Sequence, residues 1–328
     1  MKGTAIVTGA GGMIGGHLVG HLLSLGYQVC ATDIKPLDKW WQVHLGSWNY
    51  DLIDLTEQSW AARDLFPNVS VVFHLASNMG GIGFITDKFQ SAKIIHDNTM
   101  MDANVIRYAR DAGVPKFFFS SSACVYPVHK MDKPMYDPLV EDDVYPANPN
   151  ESYGWQKLHT EHILREYGDW AYVARFTNCY GPCCDWKGGR EKVPAALCRK
   201  VAEAKRDGGG SIDIWGDGEQ TRAFMYVDDC VRAVAELINT DQHLPVTLGP
   251  DYVYTINDLL SDIFTAANYY PEVKYDLSKP QGVRGRVFDH GRLRETIGWV
   301  PEMPLYDGVE KLYKWVEKQI EAEEQVNA

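Results

Sequence analysis

Tyr153 and Lys157 stand four apart in the stretch Tyr153-Gly154-Trp155-Gln156-Lys157. At the start of a helix that spacing puts both side chains on one face. A neighbouring ammonium stabilises a phenolate, which makes the tyrosine a usable general base near neutral pH. Upstream, the strand-like run Lys116–Ser121 leads into Ser122, whose hydroxyl could hydrogen-bond the same substrate oxygen. Such a group removes a hydroxyl proton while the carbon beside it gives up hydride. A Tyr-x-x-x-Lys pair by itself is equally a solvated surface pair, so the reading depends on what else the chain supplies.

A hydride needs an acceptor, and the N-terminus carries the means to hold one. Gly9-x-x-Gly12-x-x-Gly15 follows the strand-like Thr4–Thr8 and opens a helical stretch beginning at Met13 and Ile14. The first glycine permits a tight turn, the second lets backbone approach a pyrophosphate, and the third lets helix and strand pack closely. The helix start adds free N–H groups and the positive end of its dipole. An acid, Asp33, follows the second strand-like run, where it suits a ribose 2′-hydroxyl and repels a 2′-phosphate. The reading is a dinucleotide site for NAD rather than NADP.

The elements that must position these groups alternate. Strand-like runs at Thr4–Thr8, Gln28–Thr32, Val69–Ala76, Lys116–Ser121 and Trp170–Arg175 are separated by helical stretches at Met13–Leu25, Thr56–Leu65, Asp87–Ala112 and Asn150–Tyr167. Runs that are apolar throughout predict strands buried on both faces of a parallel sheet. The fold class is therefore α/β, a Rossmann-type doubly wound parallel sheet, with a smaller C-terminal substrate-binding lobe. Beyond residue 176 the texture becomes mixed. A helix near Val193–Lys205, short strands at Ile212–Trp215, Phe224–Val227 and Val246–Leu248, a helix at Asp228–Asn239 and a final amphipathic helix near Tyr306–Glu324 are expected. The predicted division is residues 1–176 plus about 223–248 for the nucleotide-binding domain, and 177–222 plus about 249–328 for the second lobe.

Composition limits the function classes. The chain has 328 residues and a formal net charge of -12, which lacks the basic footprint of a nucleic-acid binder. No apolar run approaches a membrane span or a signal-peptide core, so a soluble, cytoplasmic protein is expected. The seven cysteines (Cys30, Cys124, Cys179, Cys183, Cys184, Cys198 and Cys230) are odd in number and irregularly spaced. They predict neither a disulfide framework nor a metal site.

In combination, the glycine turn, the serine strand and the Tyr-x-x-x-Lys pair resemble the extended short-chain dehydrogenase/reductase superfamily, over the whole chain. Further marks are His74-Leu75-Ala76, Asn98 and Asp54-Leu55, which the resemblance places with Leu75 and Ala76 around the cofactor. Trp215-Gly216-Asp217-Gly218-Glu219-Gln220-Thr221-Arg222 and Tyr226-Val227-Asp228-Asp229 are similar to its nucleotide-sugar branch. There Arg222 is expected at the diphosphate, which a guanidinium fork suits.

Three stretches narrow the branch: Met79–Phe84, Ser121–Pro127 and Trp186–Ala196, with Gly282–Arg286. They closely resemble the GDP-mannose 3,5-epimerases. That resemblance implies Cys124 and Lys192 as an acid/base pair, with no role assigned to either at a given carbon. It also implies substrate contacts from Gly80, Ser122, Ala123, Cys124, Asn178, Glu191, Lys192, Lys200, Gln220, Thr221, Arg222 and Arg286. The implied activity converts GDP-mannose to GDP-L-galactose, with GDP-L-gulose, through transient oxidation at carbon 4 by bound NAD. A 4-epimerase or a 4,6-dehydratase of the same fold is the alternative. A 4-epimerase has no need of Cys124 and Lys192, and a dehydratase is expected to carry an acid at position 124. Thr177 departs from the histidine expected there. A homodimer pairing the helices near 87–112 and 150–167 is implied as well.

Overall fold

The computed structural model describes residues 2–47, 49–57, 68–132 and 137–327. Its centre is a parallel sheet built from β1 (Thr4–Thr8), β2 (Gln28–Asp33), β3 (Asn49–Leu52), β4 (Val71–His74), β5 (Lys116–Ser122), β6 (Ala171–Phe176) and, far along the chain, β11 (Val246–Leu248). The order across the sheet is β11-β6-β5-β4-β1-β2-β3. Every pairing between neighbours is parallel. The order reverses between β1 and β4, where Thr8 lies beside His74. A ligand crevice opens at the carboxyl ends of strands flanking such a reversal.

Strands without polar interruption require cover on both faces. In β1, Ala5 and Val7 point to one face and Ile6 to the other, and all three are fully buried. The first face is packed by α1 (Met13–Ser24) and by α6 (Val227–Leu237). The opposite face is packed by α3 (Lys88–Asp111) and α4 (Ser152–Glu166), which also pack on each other. Asp87 starts α3 by accepting the backbone N–H groups of Phe89 and Gln90. The short α2 (Ile82–Ile85) precedes it.

The C-terminal part comprises the pairs β7 (Asn178–Tyr180) with β10 (Phe224–Tyr226), β8 (Ser211–Trp215) with β13 (Glu272–Asp276), and β9 (Thr221–Arg222) with β12 (Tyr254–Thr255). The helices α5 (Val193–Asp207), α7 (Ile256–Ala267), α8 (Gly291–Ile297) and α9 (Leu305–Asn327) complete it. Its apolar side chains, among them Ile214, Leu259, Val309 and Val316, run without a break into the cluster on the α1 face of the sheet.

The differences from the sequence-based expectation have local causes. Strand β4 stops at His74, because the N–H groups of Leu75 and Ala76 turn to the Thr8 hydroxyl instead of a strand neighbour. β3 escapes a sequence reading: it is a four-residue edge strand with little apolar content and an exposed Leu52. β10, expected within the nucleotide-binding part, pairs with β7 and not with the central sheet, whereas β11 does join that sheet. The helix expected at Thr56–Leu65 falls mostly outside the described residues. Among the described residues no helix is long and apolar enough to cross a membrane.

Candidate active site

The carboxyl ends of β1, β4 and β5 meet the loop before α5 around a cavity of about 230 Å³. Gly9, Gly12, Met13, Ile14, Gly15 and Leu75 line it from the turn side. Gly9 has φ +71°, and a Cβ there would lie 2.8 Å from the Ala76 nitrogen. A Cβ on Gly15 would lie 2.1 Å from the Gly9 carbonyl oxygen. The turn is therefore closed to larger residues at both ends. Gly12 starts α1 with no side-chain cap, so the N–H groups of the first turn have no such partner. A pyrophosphate fits this cradle on the chemistry of its donors.

The Asp33 carboxylate closes the turn, accepting the Gly11 N–H at 2.9 Å and the Lys35 N–H at 2.9 Å. The Lys35 ammonium is 3.8 Å from Asp185, which reaches across from the loop before α5. Asn98, fully buried, exchanges two hydrogen bonds with the backbone of Asn78 and so holds the chain beyond β4. Asp54 accepts from Thr56 in a local turn, and Leu55 is buried in the core with its carbonyl taken by Asn104. Neither lines the cavity.

Tyr153 enters the cavity from the first turn of α4, and Ser122 from the end of β5. Lys157, one turn on, is fully buried beneath them. Its ammonium lies 4.5 Å from the Phe119 ring centre and 5.7 Å from that of Tyr153, with no hydrogen-bond partner. Burial pushes the Tyr153 phenol well above its ordinary range, and the nearby Cys124 adds to this, while the Ser77 and Ser122 hydroxyls oppose it. Desolvation, and not the expected acidification by Lys157, dominates the phenol. Burial also lowers the Lys157 ammonium, against the pull of Asp102 and Glu161.

Cys124 sits in a single helical turn after β5, buried, with the Ser122 hydroxyl accepting its N–H. The Arg286 Nη2 approaches its sulfur at 3.6 Å. Arg222 and Arg284 lie close enough to Arg286 that desolvation, together with this crowd of cations, pushes Arg222 down to about 9. Arg284 is paired with Asp217 at 2.8 Å. The Arg286 Nε and the Gln220 Oε1 are buried without a hydrogen-bond partner. Guanidiniums gathered this closely, with donors left over, suit an anionic ligand. Asn178 starts β7, and its N–H goes to the Ala223 carbonyl. Ala123 is core, and the Thr221 N–H goes to the Arg284 carbonyl.

Gly80 and Lys192 line the cavity, Lys192 as the residue that starts α5. Its neighbour Glu191 faces elsewhere, pairing with Arg199 at 3.2 Å. The Lys200 ammonium is spent on the Asp213 carbonyl. Among the cavity residues not predicted as site residues are Ser77 and Arg190. Ser77 has only a hydroxyl to betray it. Arg190, within a stretch already singled out, holds Asn78 at 3.1 Å and lies 4.2 Å over the Phe84 ring. Cys183 and Cys184 are half-buried beside the cavity, and the other five cysteines are buried.

Residues 5–249 match the NAD dependent epimerase/dehydratase family, and the chain belongs to it. Its cofactor is NAD, which the turn and Asp33 suit. Among its relatives, the chain is 38% identical to GDP-mannose 3,5-epimerase 1 of Oryza sativa subsp. indica, over 97% of its own length and 82% of that protein. It is 37% identical to the GDP-mannose 3,5-epimerase of Arabidopsis thaliana, over 97% and 83%. It is 28% identical to the GDP-L-colitose synthase of Yersinia pseudotuberculosis, over 93% and 95%. The solved structure of a UDP-glucose 4-epimerase from Thermotoga maritima with UDP-glucose superposes with a TM-score of 0.84 at 25% identity, covering 97% of this chain and 99% of that one.

Proposed function

We propose that this protein epimerises GDP-mannose at carbons 3 and 5, producing GDP-L-galactose and, by inversion at carbon 5 alone, GDP-L-gulose. The observation that carries the reading is a cavity lined by Ser122, Tyr153 and Lys192, with Cys124 in the same buried cluster as Tyr153, in a chain 38% identical to an enzyme named for that reaction. NAD, when bound, supplies a reversible hydride acceptor for sugar carbon 4 and the positive charge of its oxidised ring.

The chain's residues do the rest. Ser122 holds the carbon-4 oxygen, and Tyr153 takes its proton as the carbon becomes a ketone. The ketone acidifies the hydrogens on carbons 3 and 5, because the carbanion left behind is an enolate. Cys124 and Lys192 then remove a proton from one face of each carbon and return one to the other. Arg286 places its guanidinium 3.6 Å from the Cys124 sulfur. Arg222 holds the diphosphate. Tyr153 finally returns its proton to the carbon-4 oxygen. Carbon 4 is an alcohol again when the product leaves, so the reaction consumes no net oxidant or reductant. Gly80, Asn178 and Gln220 complete the sugar side, and the protein acts as a cytoplasmic homodimer through α3 and α4.

The deciding experiment is incubation with GDP-mannose in deuterated water. The expected result is deuterium at carbons 3 and 5, new GDP-L-sugars and no net NADH. GDP-mannose returned unlabelled rejects the reading.

A further inference from the structure

Beneath the redox group lies a run of buried polar side chains that the proposed chemistry does not use. The Thr8 hydroxyl accepts the N–H groups of Leu75 at 3.1 Å and Ala76 at 3.2 Å. Its own proton therefore goes to His74 Nδ1, 2.8 Å away. That leaves His74 Nε2 as the donor to Asp102 Oδ1 at 3.0 Å. The other oxygen of Asp102 accepts from Gln156 Nε2 and from the Thr160 hydroxyl, each at 2.7 Å. Gln156 and Thr160 bracket Lys157 on α4. The run thus spans from the last residue of β1, through α3, to the helix that carries the Tyr-x-x-x-Lys pair.

We propose that Asp102 is a positioning residue for the redox step, the buried counter-ion that keeps Lys157 an ammonium under Tyr153. The charges around Lys157 single it out. From its own helix, Tyr153 and Glu161 face it, and from α3, Asp102. β5 contributes the Phe119 ring. The charge on Glu161 is already committed, since Arg175 grips that carboxylate through Nε at 3.0 Å and Nη2 at 2.7 Å. His74 is held between the Thr8 hydroxyl and the Asp102 carboxylate. Asp102 remains, a fully buried carboxylate that, against desolvation, the Lys157 ammonium and the His74 contact hold below the usual range. A fully buried ammonium among aromatic rings loses its proton readily unless an anion opposes desolvation. Through His74 and Thr8 the same anion is tied to the backbone that shapes the glycine turn.

The inference rests on the redox reading of Lys157, and its test has one arm that does not. Asp102→Asn removes the charge and leaves a side chain of the same shape. The pH–rate profile for GDP-mannose should then shift its alkaline limb to lower pH by about one unit or more, about tenfold in the charged-to-neutral ratio of Lys157. KM and bound NAD should be unchanged, and Asp102→Glu should restore part of the limb. A uniform loss of rate with an unshifted profile would mean a merely structural role and overturn the proposal. The second arm needs no substrate: a thermal-unfolding cycle of Asp102→Asn, Lys157→Met and the double variant. Coupling is expected, with the double variant more stable than Asp102→Asn, because no uncompensated ammonium remains. That holds even where Asp102→Asn alone fails to fold. Additive losses, or a double variant no better than Asp102→Asn, overturn the pairing whatever the substrate proves to be.

Discussion

The two halves of the site are built differently. On the cofactor side, the turn Gly9–Gly15, Asp33 and Asn98 lie at the ends of central strands or within a helix packed against them. The polar side chains of Asp33 and Asn98 find their partners within the protein. On the sugar side, the residues come from a single turn after β5, the two-residue strand β9, the loop before α8 and the start of α5. There the Arg286 Nε and the Gln220 Oε1 are buried without partners, and Arg222 is crowded by like charge. The contrast has a physical meaning. A half whose polar side chains are met internally is rigid and offers its ligand backbone N–H groups in one geometry. A half with cations pressed together stores unfavourable energy that an anionic ligand releases on binding.

The contrast can be broken from either side. Tyr153→Phe should have the largest effect, a fall in turnover of about 10³-fold with NAD content unchanged, read by steady-state kinetics and by assay of the released cofactor. Cys124→Ala combined with Lys192→Ala should abolish deuterium exchange, by about 10²-fold or more. Oxidation at carbon 4 should survive, so NADH absorbance should build up on the enzyme where the parent shows none. Gly15→Ala inserts a Cβ that would lie 2.1 Å from the Gly9 carbonyl. It should cost about 1–3 kcal/mol of stability and most of the bound NAD, measured by thermal unfolding and cofactor content. Sugar-side binding should then persist, as a thermal shift with GDP.

The smallest effect concerns Arg222, held down at about 9 by burial and by Arg286 and Arg284. A base whose folded pKa is depressed binds fewer protons folded than unfolded between that value and its ordinary one, so stability should rise with pH across this window. Below about 9 the penalty is present in full. Arg222→Gln should therefore raise the melting temperature of the ligand-free protein slightly at neutral pH. It should also remove most of the stabilisation that GDP confers on the parent. A variant both less stable and fully responsive to GDP would contradict the anion-site reading.

Much of this was legible in the sequence because local chemistry determines it. The glycine turn, the acid after β2 and the Tyr-x-x-x-Lys pair are short-range patterns whose geometry follows from one turn or one helix. The run of buried strands announces a parallel sheet because both faces must be covered. What the sequence could not determine arises where distant segments meet. Glu191 and Lys192 are adjacent, yet one pairs with Arg199 and the other lines the cavity, a choice set by how α5 packs. Lys157 is read from its spacing as an ally that acidifies Tyr153, but desolvation, which exists only once the helix is buried, pushes the phenol the other way. Asp102 gives no sign of its place until α3 brings it against His74 and α4. Local backbone geometry is written residue by residue, whereas burial and the electric field inside the protein belong to the packed whole.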